Sequence, residues 1–192
     1  MQISDDNRRE IRVAGFGGQG IVLSAVILGK AASIYMGKKA AVMQSYGPES
    51  RGGACSGAIV IDEETVDYPY ATRPDVLLFL SQEAYAKYRK TLKKGGLMIV
   101  EEDLVELAGD DGDAIIYKVP ATRMAENLGK KIVANIIMLG ALVGISDIIT
   151  FSAIKQSVLS MVPPKTLKIN QEAVEQGYEY GNKIKKAVEV ST

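Results

Sequence analysis

A glycine cluster set between a short apolar run and an apolar-periodic segment constrains this chain more than any other feature. The stretch is Ile11-Arg-Val-Ala-Gly-Phe-Gly-Gly-Gln-Gly20. Its order reads as strand, tight turn, helix, and Gly15-x-Gly17-x-x-Gly20 has the spacing of a dinucleotide-type turn. The first glycine permits a sharp exit from the strand, the second a close approach of ligand to backbone, and the third close helix–strand packing. Gly15, Gly17, Gly18, Gln19 and Gly20 are therefore candidate binding residues, with the helix N–H groups and dipole turned towards an anion, a phosphate above all. A plainer reading, glycines that only close the turn, stays open. Two sharper readings fail. A nicotinamide dinucleotide site wants an acid about 20 positions on, at the end of the second strand. That strand, expected at 39–45, runs out in Gln44, Ser45 and Tyr46. A P-loop needs Lys and Ser or Thr directly after the last glycine, where Ile21 and Val22 stand.

The second dense stretch is Gln44-Ser-Tyr-Gly-Pro-Glu-Ser-Arg-Gly-Gly53. Its Gly-Pro and Gly-Gly pairs mark an irregular loop at the C-terminal end of a strand, where open α/β sheets bind ligands. Tyr46, Gly47, Glu49, Arg51 and Gly52 are the candidates there. An ordinary surface connection with solvated Glu49 and Arg51 is the alternative. Further strands are expected at 54–62, 75–80, 97–100 and 114–119, and helices over 18–36, 83–93, 131–143, 151–161 and 165–187. The unbroken apolar run 131–143 predicts a helix buried all round or packed on a partner. Gly109-Asp-Asp-Gly-Asp113 reads as a solvated hairpin-type turn, since a thiamine diphosphate motif would have Gly-Asp-Gly and no strand behind it. Cys55, among small uncharged neighbours, reads as a buried structural thiol. The whole points to a single α/β domain over residues 1–192: three α/β/α layers, Rossmann-like, with a mostly parallel, mixed sheet in 9–120 and a helical portion in 121–192.

Composition removes much chemistry. There is no histidine and one cysteine in 192 residues, so no His base, no His-ligated metal and no four-thiolate cluster can be built from this chain. No catalytic residue and no metal ligand is assigned. Twenty-three basic and 23 acidic residues balance, which speaks against nucleic acid. No apolar run reaches about 18 residues, which speaks against a spanning helix. A polar, charged start and the lone cysteine point to the cytoplasm.

Gly15-Phe-Gly-Gly-Gln-Gly20, the 44–53 stretch, and Asp75-Val76 before a buried strand together resemble the gamma subunit of the 2-oxoacid:ferredoxin oxidoreductases. The likeness runs from about Ile11 into the C-terminal helices, and the loop wording is nearest the 2-oxoglutarate branch, beside the pyruvate and ketoisovalerate types. It implies a subunit, not catalytic alone, of an enzyme that decarboxylates a 2-oxoacid oxidatively, forms the acyl-CoA and passes electrons to ferredoxin. It implies coenzyme A as the substrate held at the two candidate loops. It places thiamine diphosphate, Mg2+ and iron–sulfur clusters on partner subunits: alpha, beta and, as a further candidate, delta. A homodimer of the isolated chain is also expected. A free-standing nucleotide-binding oxidoreductase domain and a purely structural assembly subunit are the alternatives.

Overall fold

The computed structural model describes residues 7–45 and 54–190. Six strands form one sheet: β1 (Arg9–Phe16), β2 (Lys39–Ser45), β3 (Ala54–Asp62), β4 (Val76–Phe79), β5 (Leu97–Glu101) and β6 (Ile115–Val119), in the order β2-β3-β1-β4-β5-β6. β1, β4, β5 and β6 pair parallel, whereas β3 runs antiparallel to both β1 and β2. The sheet is thus mixed, as expected, but its antiparallel member lies in the middle of one half. β3 separates β1 from β2, so the second strand of a dinucleotide fold, adjacent and parallel to the first, is missing. A ribose-binding acid therefore has no strand end to stand on.

The described residues form six α-helices, five where periodicity placed them and one, α3, that was not expected: α1 (Ile21–Lys30), α2 (Gln82–Tyr88), α3 (Ala121–Asn127), α4 (Ala134–Ile145), α5 (Phe151–Met161) and α6 (Leu167–Val190). α1 continues as a π-helical turn over Ala31–Tyr35, and Gly37, at φ 71°, ends it. Strand alternation divides the core. Ile11, Val13, Ile59, Leu78 and Ile99 face α1 and α3–α6 in the large cluster, while Leu77, Phe79, Met98 and Val100 face Tyr85 and Tyr88 of α2 in a smaller one. The three layers are real but unequal.

α4 shows how an all-apolar helix is accommodated. Its residues from Asn135 to the end are all buried within the chain, with α6 the main neighbour and α1, α3 and α5 adding to the cover. Gly140 and Gly144 face Gly177 and Gly181, and a Cβ on any of the four would meet backbone of the opposite helix. At Gly144 it would lie 2.5 Å from Tyr178 O, and at Gly181 2.5 Å from Ala141 O. The buried apolar helix thus gives no reason for self-association.

One other expectation changes, and one is met. The 109–113 turn joins parallel strands and is no hairpin. Nor is it merely solvated: Asp111 accepts the Tyr85 hydroxyl at 2.7 Å and Arg89 Nη1 at 3.1 Å, and its side chain is 5% exposed. Cys55 is buried, and burial pushes its thiol above the ordinary value, which is the inert condition.

Candidate functional site

β1 leaves the sheet at Phe16, and Gln19 N donates to Phe16 O at 3.2 Å to close the turn. Gly18 (φ 98°) and Gly20 (φ 73°) both adopt left-handed backbone, which side chains disfavour. Gln19 folds back into the turn it belongs to. Its Oε1 accepts Phe16 N at 2.7 Å and its Nε2 donates to Leu80 O at 2.9 Å. One amide thereby ties the end of β1 to the residue just past β4. Gly15 is what makes room for it, since a Cβ there would lie 2.5 Å from Gln19 Oε1 and 2.7 Å from Ile21 Cδ1.

Gly20 is fixed from the far end of the chain. A Cβ on it would collide with the amide of Asn135, which is 5% exposed at the start of α4. Asn135 Nδ2 lies 3.4 Å from Ser24 Oγ and 3.5 Å from Gly20 O. Ser24 Oγ in turn donates to Gly20 O at 2.9 Å. Gly15 and Gly20 are thus accounted for by packing. Gly17 and Gly18 are not, because none of the described residues lies within 4 Å of where their Cβ atoms would stand. Behind them α1 begins with no side-chain cap and no acidic residue in its first turn. The positive end of its dipole therefore meets no capping side chain and no first-turn acid among the described residues.

Beside the turn lies a cleft of about 360 Å3, walled by Gly18, Gln19, Leu80, Glu101, Ile132 and Asn135 among others. Glu101, at the end of β5, is fully buried, accepting Asp103 N at 2.8 Å and Thr122 N at 2.9 Å. Its carboxyl oxygens thus take up backbone N–H groups, one of them at the start of α3, and Lys131 also lines the cleft. Ile132, 78% exposed, forms an apolar rim. Sequence reasoning did not assign Leu80, Glu101, Ile132 or Asn135. Only Glu101 carried a signal, as an acid at the C-terminal end of a buried run.

Tyr46, Gly47, Glu49, Arg51 and Gly52 lie outside the described residues. Their neighbours are informative: Ser45 pairs with Ser56 and Phe16 with Ala54, so β2 ends and β3 begins at the sheet edge that carries the glycine turn.

Residues 10–180 match the sequence pattern of the family described as pyruvate ferredoxin/flavodoxin oxidoreductase. Subunit KorC of the 2-oxoglutarate synthase of Methanocaldococcus jannaschii is 46% identical over 179 residues, covering 92% of this chain and 96% of that one. Among solved structures, the gamma subunit of a keto/oxoacid ferredoxin oxidoreductase from Geobacter sulfurreducens matches with TM-score 0.82 and 40% identity, over 91% of this chain and 98% of that one. A 2-oxoglutarate:ferredoxin oxidoreductase from Magnetococcus marinus, solved with 2-oxoglutarate, coenzyme A and succinyl-CoA bound, matches with TM-score 0.80 over 95% of this chain and 32% of that one. At 22% identity the last likeness concerns the fold alone.

Proposed function

Because this chain belongs to the pyruvate ferredoxin/flavodoxin oxidoreductase family, we propose that it is the gamma-type subunit of a 2-oxoglutarate:ferredoxin oxidoreductase. The assembled enzyme converts the 2-oxoacid to an acyl-CoA and passes electrons to ferredoxin. Near-full-length identity to KorC supports 2-oxoglutarate as the acid. One cysteine and no histidine support leaving thiamine diphosphate with its Mg2+, and the iron–sulfur clusters, to alpha, beta and delta partners, through which ferredoxin is reached. No described helix is long and apolar enough to cross a membrane.

The role of this chain within the complex is to receive the phosphates of coenzyme A on the turn 15–20. The carrying observation is that no described residue lies over the Cβ positions of Gly17 and Gly18, in front of a helix without a side-chain cap. Oriented N–H groups and the dipole suit phosphate there, and the neutral arm of the ligand suits the cleft past Gln19 and Asn135. Tyr46, Gly47, Glu49, Arg51 and Gly52 would form the adjacent wall, with Arg51 adding a bidentate contact to phosphate. Gly17→Val puts a branched side chain where the oxygens approach, with no described residue within 4 Å of its Cβ. It should raise the KM for coenzyme A about tenfold or more, the equivalent of one charge-assisted hydrogen bond, and leave the KM for the 2-oxoacid unchanged. Steady-state kinetics on the reconstituted complex decide this.

One observation favours the second reading, a subunit that only completes the assembly: Gly15, Gln19 and Gly20 are explained by packing alone. Unchanged coenzyme A dependence in an assembled Gly17→Val enzyme would select it.

A further inference from the structure

The opposite edge of the sheet, where β1, β4 and β5 begin, carries a cleft of about 650 Å3. That size suits a small ligand. Five cationic side chains line it: Arg9, Lys38, Lys93, Lys94 and Lys185. Three carboxylates share the lining, and each is already engaged. Glu63 meets Lys38 at 3.6 Å, Asp75 meets Lys93 at 3.0 Å, and Asp147 meets Lys185 at 3.3 Å. Arg9 reaches only the carbonyl of Arg8, at 3.2 Å, and Lys94 makes no ion pair among the described residues. Among the described residues of the lining, two cations are therefore in excess.

Two further features belong to this lining. Ser146, at the end of α4, is 4% exposed, and its hydroxyl has no hydrogen-bond partner among the described residues. A buried hydroxyl without a partner is costly, so native structures seldom keep one. Lys94 and Gly95 form the tip of the turn into β5, closed by Gly96 N donating to Lys93 O at 2.9 Å, with Gly95 at φ 69°. A glycine in that conformation turns backbone towards solvent with no Cβ in the way.

We propose that this cleft is a second binding site, for a small multivalent phosphate anion, held by Arg9 and Lys94 and reached by the Ser146 hydroxyl. It is separate from the turn 15–20, which stands at the other end of β1, and does not depend on the function proposed for that turn. Arg9 supplies the planar fork that matches phosphate oxygens, and Lys94 a mobile point charge.

The test is a titration of the 15N-labelled full chain with inorganic pyrophosphate, at ionic strength held constant with sodium chloride, and a parallel titration with citrate. Pyrophosphate should shift the Gly95, Gly96 and Ser146 amides saturably and more tightly than citrate. The double variant Arg9→Ala/Lys94→Ala, which alters only exposed side chains, should weaken binding about tenfold or more. Ser146→Ala should weaken it by a smaller factor. Equal saturation by citrate, undiminished binding by the double variant, or shifts confined to Gly17 and Gly18 would overturn the assignment.

Discussion

At the scale of single residues, the glycine turn divides its labour in a way the spacing alone does not reveal. Gln19 is the hub, because both ends of its amide are used inside the fold. Gln19→Ala should destabilise the chain by about 1–3 kcal/mol, since it strands Phe16 N and Leu80 O. Gly17→Ala, with no described residue within 4 Å of the added methyl, should stay within about 0.5 kcal/mol of the parent. Urea unfolding of the pair checks both, and equal losses would refute the division. The turn itself was legible in the sequence because a strand signal, glycines and a helix signal stand within ten residues. What holds the turn was not, because Asn135 arrives 115 residues later and no local pattern records that distance. Nor could periodicity tell Gly17, which no described residue crowds, from Gly15, which faces Gln19.

At the scale of elements, the sequence marks where strands lie better than which way they run. β3 lies where it was expected, and a Cβ on its Gly57 would collide with Ala25 of α1. An alternating pattern reads the same in both directions, so the antiparallel insertion of β3 between β1 and β2 left no trace. Likewise the apolar run of α4 fixed its burial but not its cover. The main cover is α6, whose polar, lysine-rich outer side disguises a seam of Ala173, Val174, Gly177 and Gly181. The seam yields a signed prediction. In an exposed helix Gly144→Ala would gain about 1 kcal/mol from propensity. Here the methyl would stand 2.5 Å from Tyr178 O and 2.9 Å from Asn182 N, and overpacking of this kind costs about 1–3 kcal/mol or more when backbone must move. Crowding should win, and the melting temperature should fall by several degrees in a thermal scan. A rise would show that the helices separate freely.

At the scale of the whole molecule, ionisable groups border stability on two sides. The guanidinium of Arg89 holds Asp110 below the usual carboxylate range, and Lys155, with Gln171, does the same for Glu175 between α5 and α6. A lowered carboxylate stabilises above its unfolded value, and the contribution is lost as pH falls through the folded one. Burial pushes Tyr85 and Tyr180 above the ordinary phenol value. A raised phenol stabilises below its unfolded value and ceases to as pH climbs through the folded one. The melting temperature should accordingly be level from about pH 5 to 8 and fall on either side. Lys155→Met should flatten the acid limb and Tyr85→Phe the alkaline limb, as thermal scans against pH will show. The seam between α4 and α6 also has a consequence in time. A ribosome finishes α4 well before it finishes α6. At roughly 5–20 residues per second, the glycine-bearing face of α4 waits on the order of seconds for the helix that fits it. During that interval this face stays open in the nascent chain, a target for chaperones if they arrive first and for other nascent chains if they do not.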